Sequence, residues 1–311
     1  MVRILKYLFL FFIIIVFSEA VLYLSASIKL NQFNKLSYSC KINIPELYLN
    51  DYECDGSNNC YGKFRQPDGI ELKSKNKSPI VIFGGSFAHG DHLTQNQTFS
   101  YKLSKQLKRP VYNRGMLGRG LATMYYQTTN DDFYNNVPKS DTVIYIMIDD
   151  HYRRMLSAKF HPLETFNIIH YKYNDKTNDL KLDVCKNPFI CFLKSTYIYN
   201  YYKMFKVKIF ITNPKYSEKL IDMALTYIIK SRENLEKKWN KKIKFIVIMY
   251  DDIKYANQLK EKLEKNNFTV IKLDEHTNVN LDEKPYRLPD LHPSEMAWDL
   301  LTPLIIKQAK L

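Results

Sequence analysis
The sequence predicts an α/β protein built on a parallel sheet with helices over both faces. Two observations carry this. From residue 79 to the C-terminus, short apolar runs alternate with longer segments of helical period. The runs are rich in β-branched residues and lack polar alternation, as buried strands do.

The elements follow in order. Residues 80–83 form a strand that stops at Gly84-Gly85. Residues 97–108 read as a helix, 111–112 as a short strand, and 119–135 as a second helix. Residues 142–148 are another buried strand. The rhythm breaks at 152–210, which reads as an insertion capping the sheet edge. It holds a hairpin around 174–179 and an aromatic segment at 197–205, whose rings fall at helical spacing and read as core. Asn213-Pro214 then opens a long helix to about Trp239, with proline tolerated in the first turn. A strand at 243–249, a helix at 253–265, a strand at 268–273 and a helix from about Ser294 complete the chain. The main domain is therefore 79–311, preceded by a polar lead-in at 28–78.

Residues 7–24 are nearly all apolar and follow Arg3 and Lys6. Their length suits a bilayer span of about 20 residues. The two cations favour a cytoplasmic N-terminus, so the rest of the chain is expected outside the cytoplasmic membrane, held by a single span. Ser25, Ala26 and Ser27 leave a cleaved signal peptide open within the 1–27 segment.

The 311 residues carry 46 Lys and Arg against 32 Asp and Glu. The lysines are dispersed, and no zinc-finger spacing or aromatic–basic motif accompanies them, which argues against a nucleic-acid partner. Five cysteines are present: Cys40, Cys54, Cys60, Cys185 and Cys191. Export permits disulfides, and 54/60 and 185/191 are locally spaced pairs, but free buried thiols fit equally well. No Cys-x-x-Cys pair points to metal or redox chemistry.

Three segments carry chemistry. Gly84-Gly85-Ser86-Phe87-Ala88-His89-Gly90 directly follows a strand, at the sheet edge where open α/β folds bind ligands. An ordinary Gly-Ser turn is the alternative. Asn113-Arg114-Gly115-Met116-Leu117-Gly118-Arg119-Gly120 follows the next strand, and its glycines free backbone N–H groups to stabilise an oxyanion. It lacks the ending of a phosphate-binding P-loop; a plain glycine-rich turn is the other reading. Asp290-Leu291-His292-Pro293-Ser294 precedes the last helix. An Asp two residues from a His orients that imidazole to deprotonate a serine, although a surface Asp-x-His looks the same.

Taken together, the order Gly-Gly-Ser-Phe, Asn-x-Gly-x-x-Gly, Asp-x-His-Pro-Ser resembles the SGNH/GDSL hydrolases over roughly 79–310. The resemblance implies a flavodoxin-like three-layer α/β/α fold. It implies Ser86 as nucleophile, His292 as general base and Asp290 as its orienter, with the N–H groups of Ser86 and Gly118 in the oxyanion hole. Gly85 stands where the family has Asp. Asp149 stands where the family has an Asn that donates to the oxyanion, and an ionised carboxylate only accepts. Either Asp149 is protonated and still serves the oxyanion hole, or His151 or Arg153 faces the cleft in its place, or the hole is incomplete; a capped turn with solvent-paired charges at 149–153 fits equally well. His89 and His92, close to Ser86 in sequence, are further expected to line the cleft. No cofactor and no metal are expected, since His89 and His92 lack recognisable further ligands.

The expected activity is ester chemistry through an acyl-serine, by hydrolysis or transfer, on a cell-envelope glycan or lipid ester. O-acetyl groups on a polysaccharide are the preferred substrate by family analogy. A non-catalytic glycan-binding module of the same fold is the alternative, favoured by Asp149.

Overall fold
The structure, a computed structural model, describes residues 17, 18, 21, 52–54, 60–62, 68, 77–156, 171–182, 197–250 and 253–311. Strands β1 (Tyr52–Cys54) and β2 (Cys60–Gly62) pair antiparallel, with Cys54 opposite Cys60 in register. Cys40, Cys185 and Cys191 lie outside the described residues. The 7–24 run also lies outside them, apart from Phe17, Ser18 and Val21, which are helical. Among the described residues no helix is long and apolar enough to cross a membrane.

The main domain starts with β3 (Ile80–Gly84), every residue of which is buried. The chain turns at once into α1 (Ser86–His89) and then α2 (Phe99–Leu107). Thr98 caps α2 by accepting from the Tyr101 N–H, which satisfies one of the helix's orphan donors. After β4 (Val111–Asn113) come α3 (Leu121–Thr129) and α4 (Asp131–Asn136). One helix was expected over this stretch, and two are found. Asn130 takes an extended backbone and its side chain accepts from the Asp132 N–H. An N-cap therefore restarts the helix in the middle of an apolar pattern that itself continues.

Strand β5 (Thr142–Met147) is wholly buried and leads into α5 (Asp150–Met155). The expected hairpin forms from β6 (Tyr171–Asn174) and β7 (Asp179–Leu182). It packs through Tyr171, whose ring lies 5.0 Å from Tyr125 and 6.1 Å from Tyr227. In α6 (Tyr197–Thr212) the helical spacing is right but the core reading is not. Tyr202 and Phe205 are 59% and 65% exposed, while Val207 is buried. An amphipathic period places residues on one face without saying which face meets the core.

Asn213 accepts from the Lys215 N–H and Pro214 opens a short 3₁₀ turn before α7 (Ser217–Trp239). The chain ends through β8 (Lys244–Met249), α8 (Ala256–Lys265), β9 (Thr269–Lys272) and α9 (Glu295–Ala309).

The five-stranded sheet has the order β4-β3-β5-β8-β9, all parallel. Counted along the sheet's own strands this is 2-1-3-4-5, the flavodoxin-like order. Side chains alternate between its faces. Val81, Phe83, Val143, Tyr145, Phe245 and Val247 pack with α3, α7 and α8. Ile80, Ile82, Ile144, Ile146, Ile246 and Ile248 pack with α2 and α9. Continuous apolar strands and two covered faces are thus the same fact. At the β4 edge, Asp68 exchanges two backbone hydrogen bonds of 2.9 Å with Val111. The lead-in therefore covers part of an otherwise open edge.

Trp298 on α9 is fully buried, 5.0 Å from the Phe99 ring and 5.5 Å from that of Tyr250. Trp298→Ala should therefore cost about 3–5 kcal/mol of stability, read as a lowered midpoint in urea unfolding.

Candidate active site
The site forms at the carboxyl ends of β3, β4 and β5, where the strand order changes direction. Gly84 has φ +151°, and a Cβ there would lie 2.7 Å from the Ala88 Cβ and 2.9 Å from the Ile146 carbonyl. Only glycine allows β3 to turn this tightly into α1. Ser86 is the first residue of α1 and is 6% exposed. Its N–H belongs to the first turn, with no carbonyl one turn back to receive it.

The loop after β4 is tied to this turn by backbone and side chain. The Arg114 N–H donates to the Ile82 carbonyl (2.7 Å) and the Met116 N–H to that of Gly84 (3.1 Å). Asn113 Nδ2 donates to the Ala88 carbonyl at 2.7 Å, and Asn113 Oδ1 accepts from the Gly115 N–H at 3.0 Å. The Asn of the second motif is therefore a strap between this loop and α1. Gly118 follows with φ +66° and is partly exposed. Its N–H donates no hydrogen bond among the described residues.

His292 arrives from the loop before α9. Its Nδ1 is 2.9 Å from Asp290 Oδ2, and Asp290 Oδ1 also accepts from the His292 backbone N–H. Ser294 caps α9 and donates to the Pro285 carbonyl at 2.6 Å, which fixes the loop. The His292 ring lies 5.3 Å from that of Phe87, and its Nε2 lies 3.8 Å from Asp91 Oδ2. Asp91 in turn donates its N–H to the Ser86 carbonyl at 3.1 Å. Among the described residues Ser86 Oγ makes no hydrogen bond to His292.

Asp290 serves a second imidazole as well: His92 Nε2 is 2.7 Å from the same Oδ2. Burial alone would raise the Asp290 carboxyl, but the hydrogen bonds from His292 and His92 hold it far below the usual carboxylate range. It is ionised at any working pH.

The 149–153 segment divides between buried packing and paired charges. His151 is fully buried, and burial with the Arg154 charge holds it neutral. Its Nδ1 is 2.7 Å from the Tyr145 hydroxyl, and its Nε2 has no hydrogen-bond partner among the described residues. The ring packs behind the site: a Cβ on Gly85 would lie 2.9 Å from His151 Nε2, and one on Gly120 would lie 3.1 Å from its Cδ2. Arg153 forms a two-point pair with Asp150 at 2.5 and 2.9 Å. His151 therefore serves as packing, and Arg153 braces Asp150. His89 is likewise buried, at 2% exposure, whereas His92 is exposed. Asp149 Oδ1 accepts from the Lys254 N–H at 2.9 Å, joining the ends of β5 and β8.

Arg154 had no sequence signal beyond its i,i+4 spacing from Asp150. It forms an ion pair with Asp150 at 2.6 Å and donates to the Arg119 carbonyl at 2.7 Å, holding the Gly118–Gly120 loop. Gly85 is explained by the same group. A Cβ there would meet Arg154 Nη1 at 2.7 Å and the Arg119 carbonyl at 2.8 Å, so the family's Asp has no room.

No family model matches the chain, and no curated protein matches its sequence. Solved structures do resemble it. One is a member of the lipolytic protein G-D-S-L family from Veillonella parvula, 14% identical, covering 74% of this chain and 96% of its own, with TM-score 0.38. Another is a catalytic mutant of an acetylxylan esterase from Geobacillus stearothermophilus, 10% identical, covering 75% and 94%, with TM-score 0.39. A third is an α/β hydrolase from the metagenome of Lake Arreo, 13% identical, covering 75% and 95%, with TM-score 0.41. The functional reading rests on the site itself.

Gly85→Asp should destabilise the fold by about 1–3 kcal/mol through overpacking, and Gly85→Ala should do so in the same direction; thermal melting of both variants checks this. The Asp150 carboxyl gives a pH prediction. Burial would raise it, but the Arg153 hydrogen bond and the charges of Arg154 and Arg153 bring it down to about 2. A depressed carboxyl stabilises the fold above its unfolded pKa, and that stability is lost as pH falls toward the folded value. The stability gap between wild type and Asp150→Asn should therefore be constant near neutrality and shrink from about pH 4 toward pH 2, measured by urea unfolding at each pH.

Proposed function
We propose that this chain, whose motif order and three-layer fold are those of the SGNH/GDSL hydrolases, is a serine esterase or O-acyl transferase. The observation that carries this is the Asp290-held imidazole of His292 beside the helix that begins at Ser86.

Ser86 Oγ attacks the acyl carbonyl carbon while His292 Nε2 takes its proton. Asp290 keeps the ring proton on Nδ1 and stabilises the imidazolium that forms. The N–H groups of Ser86 and Gly118 receive the developing oxyanion. The tetrahedral intermediate collapses, the C–O bond to the leaving alcohol breaks, and His292 returns the proton to that alcohol. Water then attacks the acyl-serine to release acid, or a sugar hydroxyl attacks it to give a new ester. The apolar run at 7–24 behind Arg3 and Lys6 supports action outside the cytoplasm, on O-acetyl groups of an envelope glycan or on a lipid ester.

One observation favours a non-catalytic glycan-binding module. Asp149 accepts from Lys254 instead of donating into the site, which leaves two backbone donors for the oxyanion. A fluorophosphonate probe separates the readings, since only an activated serine is labelled.

Ser86→Ala and His292→Ala should each lower aryl acetate turnover by about a thousandfold or more, and the double variant should be little worse, because the pair acts as one unit. Asp149→Asn keeps an oxygen for the Lys254 N–H and adds a donor, so turnover should rise, by less than about tenfold. Full activity in a well-folded Ser86→Ala protein would exclude the acyl-serine route.

A further inference from the structure
Asp91, His92 and His292 bring three ligand atoms into one small volume at the mouth of the site. Asp91 Oδ2 is 3.8 Å from His92 Nε2 and 3.8 Å from His292 Nε2, and all three atoms lie within 4.8 Å of one another. A tetrahedral Zn²⁺ with bonds of about 2.0–2.1 Å holds its ligands roughly 3.3 Å apart. The two 3.8 Å separations therefore need to close by about half an ångström, and the third, within 4.8 Å, by up to about 1.5 Å.

The surroundings also suit a metal. Asp290 accepts from His292 Nδ1 and leaves Nε2 outward, which is the carboxylate–imidazole arrangement that orients metal-ligating histidines. Asp91 is fixed by its backbone N–H on the Ser86 carbonyl. His92 is 40% exposed, so an ion can enter from solvent. Two imidazoles and one carboxylate match a borderline cation such as Zn²⁺ or Co²⁺; Mg²⁺ and Ca²⁺ prefer all-oxygen cages.

We propose that Asp91, His92 and His292 form a reversible Zn²⁺ site that switches this protein off. His92 exchanges its hydrogen bond to Asp290 for the metal and binds as a neutral imidazole with its proton on Nδ1. Water fills the fourth position. The ion takes the same Nε2 lone pair that would accept the Ser86 proton, so metal loading and base catalysis exclude each other. The inhibition rests on the esterase reading above; the binding does not.

The test uses the full chain in detergent, stripped with a chelator that is then removed. Co²⁺ is titrated and followed by its visible absorption, and Zn²⁺ is titrated by calorimetry, both independent of turnover. One equivalent of Zn²⁺ should bind, and Mg²⁺ should not compete. Asp91→Asn and His92→Gln, each checked by thermal melting, should weaken Zn²⁺ binding about tenfold or more. In parallel, Zn²⁺ should abolish aryl acetate turnover and fluorophosphonate labelling, and chelator should restore both. Zn²⁺ binding that both variants leave unchanged, or no binding at all, would overturn the site. Zn²⁺ that binds here yet raises turnover would overturn the switch. Stoichiometric binding in a chain that never turns over ester would leave the site standing and remove the esterase reading instead.

Discussion
Three segments crowd the end of β3, and they fit because Gly84, Gly85 and Gly115 carry no side chains. At each of these positions a Cβ would come within 3.0 Å of a neighbouring atom, and at Gly115 that atom is the His89 backbone nitrogen at 2.6 Å. Close backbone approach is what lets the Met116 N–H reach the Gly84 carbonyl and lets Arg154 reach Arg119 behind Gly85. The position of Ser86 follows from this packing. A side chain at any of the three positions would force α1 and the surrounding segments apart.

Two carboxylates then set the electrostatics of the site. Asp150 binds Arg153 and Arg154, and through Arg154 it holds the loop that carries Gly118. Asp290 binds His292 and His92, and so links the loop before α9 to the loop after α1. Each carboxylate faces two donors and stays ionised, because a partly buried charge is tolerated only when it is paired and hydrogen-bonded. Asp150 fixes structure at the back of the site. Asp290 does so at the front, where the same pairing orients the His292 imidazole.

The sheet was legible because its strands are buried on both faces. Such strands read as apolar runs whatever surrounds them, and β3, β5 and β8 fall where those runs lie. The break at Asn130 was hidden because an N-cap residue interrupts a helix without changing its apolar pattern. The exposure of Tyr202 and Phe205 was hidden for a different reason: aromatic rings at helical spacing say that a helix has a face, and the partner decides where it points. The same limit applies to His151. Its place in the chain suggested a cleft, and burial beneath Gly120 made it packing.

The sequence by itself determined the alternation, the strand ends and the three motifs, including the Asp290–His292 pair, because these depend on periodicity and on neighbours a few residues apart. Only the tertiary structure decided that Asp91 and His92 meet Asp290 and His292 across some two hundred residues of chain, and that Arg154 braces Arg119. Those contacts depend on which loops share one edge of the sheet, and the strand order that brings them together is set by burial of the whole core.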